Sequence, residues 1–216
     1  MLDAMLRPFI DPPLDRIGKY LAACGITANA MTMAGLAAGL AAAACIALGQ
    51  FGPALVLVLL SRLADGLDGA VARASQRTDF GGFLDIIADF AFYAAVPFAF
   101  VLHDPAANGV VGAALLAAFY VNGASFFGVA LLAEKRQLIT DRQGIKNLYY
   151  SGGLLEGTET ILFFVLLCLW PGWFAWAAAV FALLTVLTTI GRVYVASRVF
   201  TAPGAENCIP RERETA

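Results

Sequence analysis

Six stretches of this 216-residue chain are each apolar enough and long enough to cross a lipid bilayer. A helix needs about 20 largely apolar residues to traverse the hydrocarbon. Within it, every backbone polar group must be satisfied by the segment itself. The stretches run over 30–48, 53–73, 81–102, 110–133, 154–170 and 173–192. Turn chemistry separates them: Gly49-Gln50-Phe51-Gly52-Pro53 after the first, His103-Asp104-Pro105 after the third, and Pro171-Gly172 before the last. Residues 4–20 instead mix apolar side chains with Arg7, Asp11, Asp15, Arg16 and Lys19. They predict a helix lying at the membrane surface rather than crossing it. The expected fold is all-α and integral to the membrane, with six transmembrane helices and an N-terminal amphipathic surface helix. It forms a single domain over 1–200, followed by a cytoplasmic C-terminal tail at 201–216.

Composition narrows the function classes. The chain is 60% apolar and 14% charged, with a formal net charge of −2. Those figures exclude a disordered chain, a basic nucleic-acid-binding surface and an ordinary soluble enzyme. The four cysteines are widely spaced and there is a single histidine, which speaks against zinc or a disulfide framework. Residues 1–20 contain three prolines and six charges and no continuous apolar run, so no cleavable signal is expected. Nearly all lysines and arginines fall before span one, between spans two and three, between four and five, and after six. The opposite turns contain none, so both termini are expected in the cytoplasm. Trp170, Trp173 and Trp176 flank the outer turn as interfacial anchors. Gly35 and Gly39 form a G-x-x-x-G in span one, either a close helix approach or filler in an alanine-rich span.

Spans two and three hold Asp65, Asp68, Asp85 and Asp89. An ionised carboxylate within the hydrocarbon costs at least about 2.5–3.5 kcal/mol, so such residues are functional candidates by default. Arg62 and Arg73 alone cannot neutralise four. Spacings of three and four put each pair on one helix face. The short loop 74–80 predicts that the two helices pack antiparallel as neighbours. Facing carboxylates then make a box of oxygen ligands. All-oxygen ligation favours Mg²⁺, with Mn²⁺ as the alternative, and two ions would balance the charge. A purely hydrogen-bonded cluster is the competing reading. The acids lie in the cytoplasmic part of their spans, Asp89 about 12 Å in at 1.5 Å per residue. Beyond Asp89 only Tyr93 is ionisable before the outer turn, so the site opens to the cytoplasm and stops. Gly66 and Gly69 sit inside span two, where glycine weakens a helix but lets a ligand approach the backbone. Arg73, at i+4 from Gly69, can clamp a phosphate. Metal, glycine and arginine together read as a pyrophosphate site.

The residues also match a known signature. Asp65 and Asp68-Gly69-Ala70-Val71-Ala72-Arg73, then seven residues, then Gly81-Gly82-Phe83-Leu84-Asp85-Ile86-Ile87-Ala88-Asp89 resemble the motif of the CDP-alcohol phosphotransferases. Every fixed position of D-x-x-D-G-x-x-A-R … G-x-x-x-D-x-x-x-D is present. Thr27-Ala28-Asn29-Ala30-Met31-Thr32 resembles the family's T-P-N-x-x-T, with Ala28 replacing the proline. The resemblance implies transfer of a phosphatidyl or related group from a CDP-linked donor such as CDP-diacylglycerol to an alcohol, with release of CMP. It implies that Asp65, Asp68 and Asp85 ligate the metals. By the same resemblance, Asp89 would touch one of them and deprotonate the attacking hydroxyl, and Gly69 and Arg73 would hold the cytidine diphosphate, with Thr78 and the Asn29, Ala30, Met31, Thr32 stretch lining its pocket. A homodimer is implied as well.

The acceptor side is less marked. Tyr149 to Thr160 is polar for the start of a span, and Glu156 and Glu159 share a face. With Arg192 at the end of span six they are the candidates for contacting a polyol or polyol-phosphate acceptor; snorkelling, or a Glu–Arg192 pair, is the bland alternative. Two further readings stay open: a divalent-cation transporter using the same carboxylates, and a transferase that takes a soluble CDP-alcohol and a lipid acceptor.

Overall fold

The structure is a computed structural model that describes the backbone of residues 2–136 and 157–201, with side chains from Ile10 onward. Among the described residues there are helices and no strand. In order they are α1 (Leu2–Ala23), α2 (Ala28–Ala47), α3 (Phe51–Ala74), α4 (Asp79–His103), α5 (Pro105–Lys135), α6 (Gly157–Leu169), a 3₁₀ turn (Pro171–Trp173) and α7 (Phe174–Phe200). Boundaries follow local chemistry. Thr27, Thr78 and Asp104 cap α2, α4 and α5, each accepting a backbone N–H three residues on. Gly25 and Gly49 take positive φ, 81° and 73°, where the chain turns out of α1 and α2.

Among the described residues, four segments are long and apolar enough to cross a membrane: Ala28–Ala47, Asp79–His103, Pro105–Lys135 and Pro171–Phe200. The 24-residue α3 has the length but carries Arg62, Asp65, Asp68 and Arg73 from its midpoint onward. The described part of α6 is 13 residues and apolar. α7 runs past the expected end of its span at 192, carrying Arg198 outward.

α2 is the hub. It packs on both α3 and α4, while α1 and α6 pack on α3, α4 on α5, and α5 on α7. α3 and α4 meet through side chains, Asp65 and Asp68 facing Asp85 and Arg62 reaching Asp89, while their backbones stay apart and α2 packs on both. Small residues let α2 pack closely. A Cβ on Gly35 would stand 3.2 Å from the Ser61 carbonyl of α3, and one on Gly39 would meet the Phe92 ring of α4 at 2.6 Å. The G-x-x-x-G is therefore a true helix approach.

The core fills the half of the bundle away from the carboxylates. Phe92, Phe100, Phe164 and Phe174 are all buried there, Phe100 stacked on Phe174 at 4.7 Å between centroids.

Candidate active site

Helix periodicity brings the acidic residues of α3 and α4 together. One carboxylate oxygen from each of Asp65, Asp68 and Asp85 lies within 4.8 Å of the others. Asp68 is buried, 6% exposed, and the other two are half-buried. Thr32 of α2 donates its hydroxyl to Asp68 Oδ2 at 2.6 Å. The Ala28 carbonyl is a second acceptor 3.1 Å from that hydroxyl. One threonine proton cannot serve both fully, and the shorter bond runs to the carboxylate.

Asp89 stands outside this group. Its Oδ1 accepts from Arg62 Nη1 at 2.7 Å, and the same Nη1 is 3.5 Å from Asp65 Oδ1. One guanidinium thus reaches two of the four carboxylates. Arg73 contributes nothing to them. Its Nε and Nη2 both donate to Asp15 Oδ1 on α1, at 3.0 and 2.7 Å. Three oxygen ligands at bonding separation, with too little protein charge to balance them, fit a hard divalent cation.

Above the cluster opens a cavity of about 680 Å³, whose walls include Asp68, Asp85, Gly69, Arg73, Asn29 and Thr78. Gly69 and Gly81 keep it open: a Cβ on Gly69 would sit 3.4 Å from the Arg73 guanidinium, and one on Gly81 would press on Thr78 Oγ1 and Asn29 Oδ1 at 3.0 and 3.1 Å. Asp65 and Asp89 lie off these walls.

Three expected pocket residues stand elsewhere. Gly66 faces α1, where its Cβ would touch Leu14 at 3.0 Å, so it serves helix packing. Ala30 and Met31 are off the cavity walls. Ala30 contributes the N–H that Thr27 caps. Ala30 and Met31 follow Asn29 by about 100° and 200° around α2 and so turn away from the wall that Asn29 and Thr32 share.

On the acceptor side, Arg192 Nη1 donates to the Asn122 carbonyl, Asn122 Oδ1 and Ser125 Oγ, at 3.0, 2.9 and 2.7 Å. It ties α7 to α5 beside a second cavity of about 360 Å³. Glu159 is half-buried in the first turn of α6. Glu156 lies outside the described residues.

Sequence reasoning passed over Asp15, the site role of Arg62, and Arg77, which lines the large cavity. Arg77 sits in the loop joining the two halves of the motif, and that position was the available signal. Nothing in the local pattern pairs Asp15 with Arg73, 58 residues away.

Comparison with known proteins gives a family and a fold. Residues 25–190 match the family model for CDP-alcohol phosphatidyltransferase. The inner membrane protein YnjF of Escherichia coli K12 is 50% identical over 194 residues, covering 90% of this chain and 94% of that protein. An archaetidylinositol phosphate synthase of Pyrococcus horikoshii is 39% identical over 98 residues, 45% of this chain and 52% of its own length. Among solved structures, Mycobacterium tuberculosis phosphatidylinositol phosphate synthase (PgsA1) with CDP-DAG bound superposes with a TM-score of 0.63. It is 22% identical, covers 91% of this chain and 98% of that one, and speaks to the fold alone. The same enzyme in complex with manganese and citrate gives 0.62 at 21% identity, covering 91% and 93%.

Proposed function

Because this chain belongs to the CDP-alcohol phosphatidyltransferase family, we propose that it transfers a phosphatidyl group from CDP-diacylglycerol to an alcohol and releases CMP at the cytoplasmic face of an inner membrane. The observation that carries this reading is the Asp65–Asp68–Asp85 group, two of whose members, Asp68 and Asp85, line the 680 Å³ cavity beside Gly69 and Arg73. The proposed membrane arrangement has six spans, with α3 and α6 completing the four apolar helices, both termini cytoplasmic, and a homodimeric assembly.

Asp65, Asp68 and Asp85 would hold Mg²⁺ or Mn²⁺, two ions in this reading, with Asp89 at their edge. Bound there, the cations supply charge neutralisation for the diphosphate and for the departing CMP. The protein's own groups do the rest. The cavity receives the cytidine diphosphate, with Gly69 giving its backbone room and Arg73 and Arg77 offering guanidinium donors. Asp89 accepts the proton of the acceptor hydroxyl. The oxygen so freed attacks the lipid-bearing phosphorus, and the diphosphate P–O bond breaks with its electron pair leaving on CMP. A carboxylate is a weak base, so its contribution rests on placement.

For the acceptor, a polyol or polyol phosphate is favoured by the polar start of the fifth span with Glu156 and Glu159, and by Arg192 beside the second cavity. The naming of the Pyrococcus horikoshii relative as an archaetidylinositol phosphate synthase supports the same class. The buried aromatic layer beyond the carboxylates counts against an ion pathway and so against the transporter reading.

The test is CMP release by the purified protein with CDP-diacylglycerol, Mg²⁺ or Mn²⁺ and a panel of alcohols, with Asp89→Asn alongside. Release is expected with inositol phosphate or glycerol phosphate and to fall at least about 100-fold in the variant. Use of serine or choline instead would reject the acceptor class. Mg²⁺ flux into liposomes without CMP release would reject the transferase.

A further inference from the structure

Arg62 lies one turn before Asp65, outside the residues that the motif specifies. Its side chain is only 10% exposed. Nη1 reaches Asp89 Oδ1 at 2.7 Å and Asp65 Oδ1 at 3.5 Å. Nη2 donates to Ser61 Oγ at 3.2 Å, and that hydroxyl is anchored on the Gly35 carbonyl of α2 at 2.8 Å. The guanidinium carbon sits 4.1 Å from the Phe92 centroid, while Nε is buried without a hydrogen-bond partner. Asp89 and Phe92 are three residues apart on α4 and so share a face. A single guanidinium is therefore held by two side chains of one α4 face and braced from α2. Since α3 and α4 barely approach through their backbones, this bridge governs where the Asp89 carboxylate points.

We propose that Arg62 is the positioning residue for Asp89 and, at the same time, an internal counter-charge that weakens cation binding by the Asp65–Asp68–Asp85 group. The catalytic half rests on the reading of Asp89 as the base. In that role Arg62 occupies Oδ1 and leaves Oδ2 for the acceptor hydroxyl. The two halves give opposite signs on removal of the charge. Without Arg62, Asp89 loses its bidentate-capable partner and its orientation, so turnover falls. The cation loses a repelling neighbour, so it binds more tightly. A residue that merely held the helices together would weaken both.

The experiment compares wild type, Arg62→Gln and Arg62→Lys as full-length protein in nanodiscs. Mn²⁺ binding is read by electron paramagnetic resonance of the free ion with no substrate present, and CMP release is measured in parallel. Arg62→Gln is expected to bind Mn²⁺ about tenfold more tightly. Its turnover at saturating substrates should fall about 100-fold, with KM for the donor little changed. Arg62→Lys keeps the charge but not the planar fork, so Mn²⁺ affinity should stay at the wild-type value while turnover falls about tenfold. Unchanged or weaker Mn²⁺ binding in a monodisperse Gln variant overturns the counter-charge. Full turnover in the Lys variant overturns the positioning role, and that variant also serves if the Gln substitution does not fold. A wild type that binds Mn²⁺ yet releases no CMP with any alcohol overturns the catalytic half together with the proposed function, while the Mn²⁺ comparison still decides the counter-charge.

Discussion

Asp68 is the most enclosed of the four acids, and its partner Thr32 is itself only 4% exposed. A carboxylate that ligates a metal is oriented by what bonds its second oxygen, and removing such a partner typically costs about 10–100-fold in metal affinity or activity. Thr32→Val keeps the shape and deletes the 2.6 Å bond to Asp68 Oδ2. It is expected to weaken Mn²⁺ binding by about 10–100-fold with the fold intact. Equal Mn²⁺ titrations of variant and wild type would show that Thr32 serves only as pocket lining. The acids themselves were readable from spacing, because three- and four-residue intervals put side chains on one face whatever surrounds the helix. The Thr32–Asp68, Arg62–Asp89 and Asp15–Arg73 bonds span 36, 27 and 58 residues. No local rule reaches that far.

At the scale of elements, α2 matters through what it lacks. With Gly35 and Gly39 it presents bare backbone to Ser61 and Phe92, and Phe92 in turn supports the Arg62 guanidinium. Overpacking a tight contact costs about 1–3 kcal/mol. Gly39→Ala is therefore expected to lower the thermal midpoint in detergent by several degrees. Gly109→Ala, whose Cβ meets nothing within 4 Å, should be neutral or slightly stabilising. Equal midpoints for the two variants would mean that α2 does not hold the site's helices at this distance. The same logic covers α1: a Cβ on Gly18 would meet Ala70 at 2.7 Å, and Gly66 meets Leu14. The surface helix is thereby seated on α3 directly beside the motif, bringing Asp15 to Arg73. Glycine in a membrane helix signals a close approach, but the partner, whether helix or ligand, is not written in the glycine. That is why Gly69 and Gly66, three residues apart, have different neighbours.

For the whole molecule, the one-sided placement of lysine and arginine predicts a single orientation, which accessibility of thiols can check. Cys24 is exposed at the end of α1, whereas Ala106 is exposed at the opposite end of α4 and α5. In a Cys208→Ser background, a membrane-impermeant maleimide should label Cys24 from the cytoplasmic face only. With Cys24 replaced by Ser as well, it should label an Ala106→Cys variant from the outer face only. Reversed labelling would turn the active site outward and remove it from a cytoplasmic donor. The aromatic layer of Phe92, Phe100, Phe164 and Phe174 fits the predicted arrangement, a site open at one end and closed by packing at the other.

The helical, membrane-type character of the chain, and the pairing of Asp65 with Asp68 and of Asp85 with Asp89 on one helix face each, follow from the sequence alone, since both are properties of single helices: length, apolarity and 3.6-residue periodicity. The sequence also identified the family, because the motif is contiguous. It took the packing of the helices to set α2 against both α3 and α4, to leave Asp89 apart from the other three acids, to give Arg62 to Asp89 and Asp15 to Arg73, and to turn Gly66 toward a helix instead of a ligand. Those outcomes depend on which helix faces are brought together, and apolar faces of similar shape carry little information about their partners. In a membrane, where lipid is as apolar as leucine, that choice falls to close packing of small residues and to the few buried polar bonds.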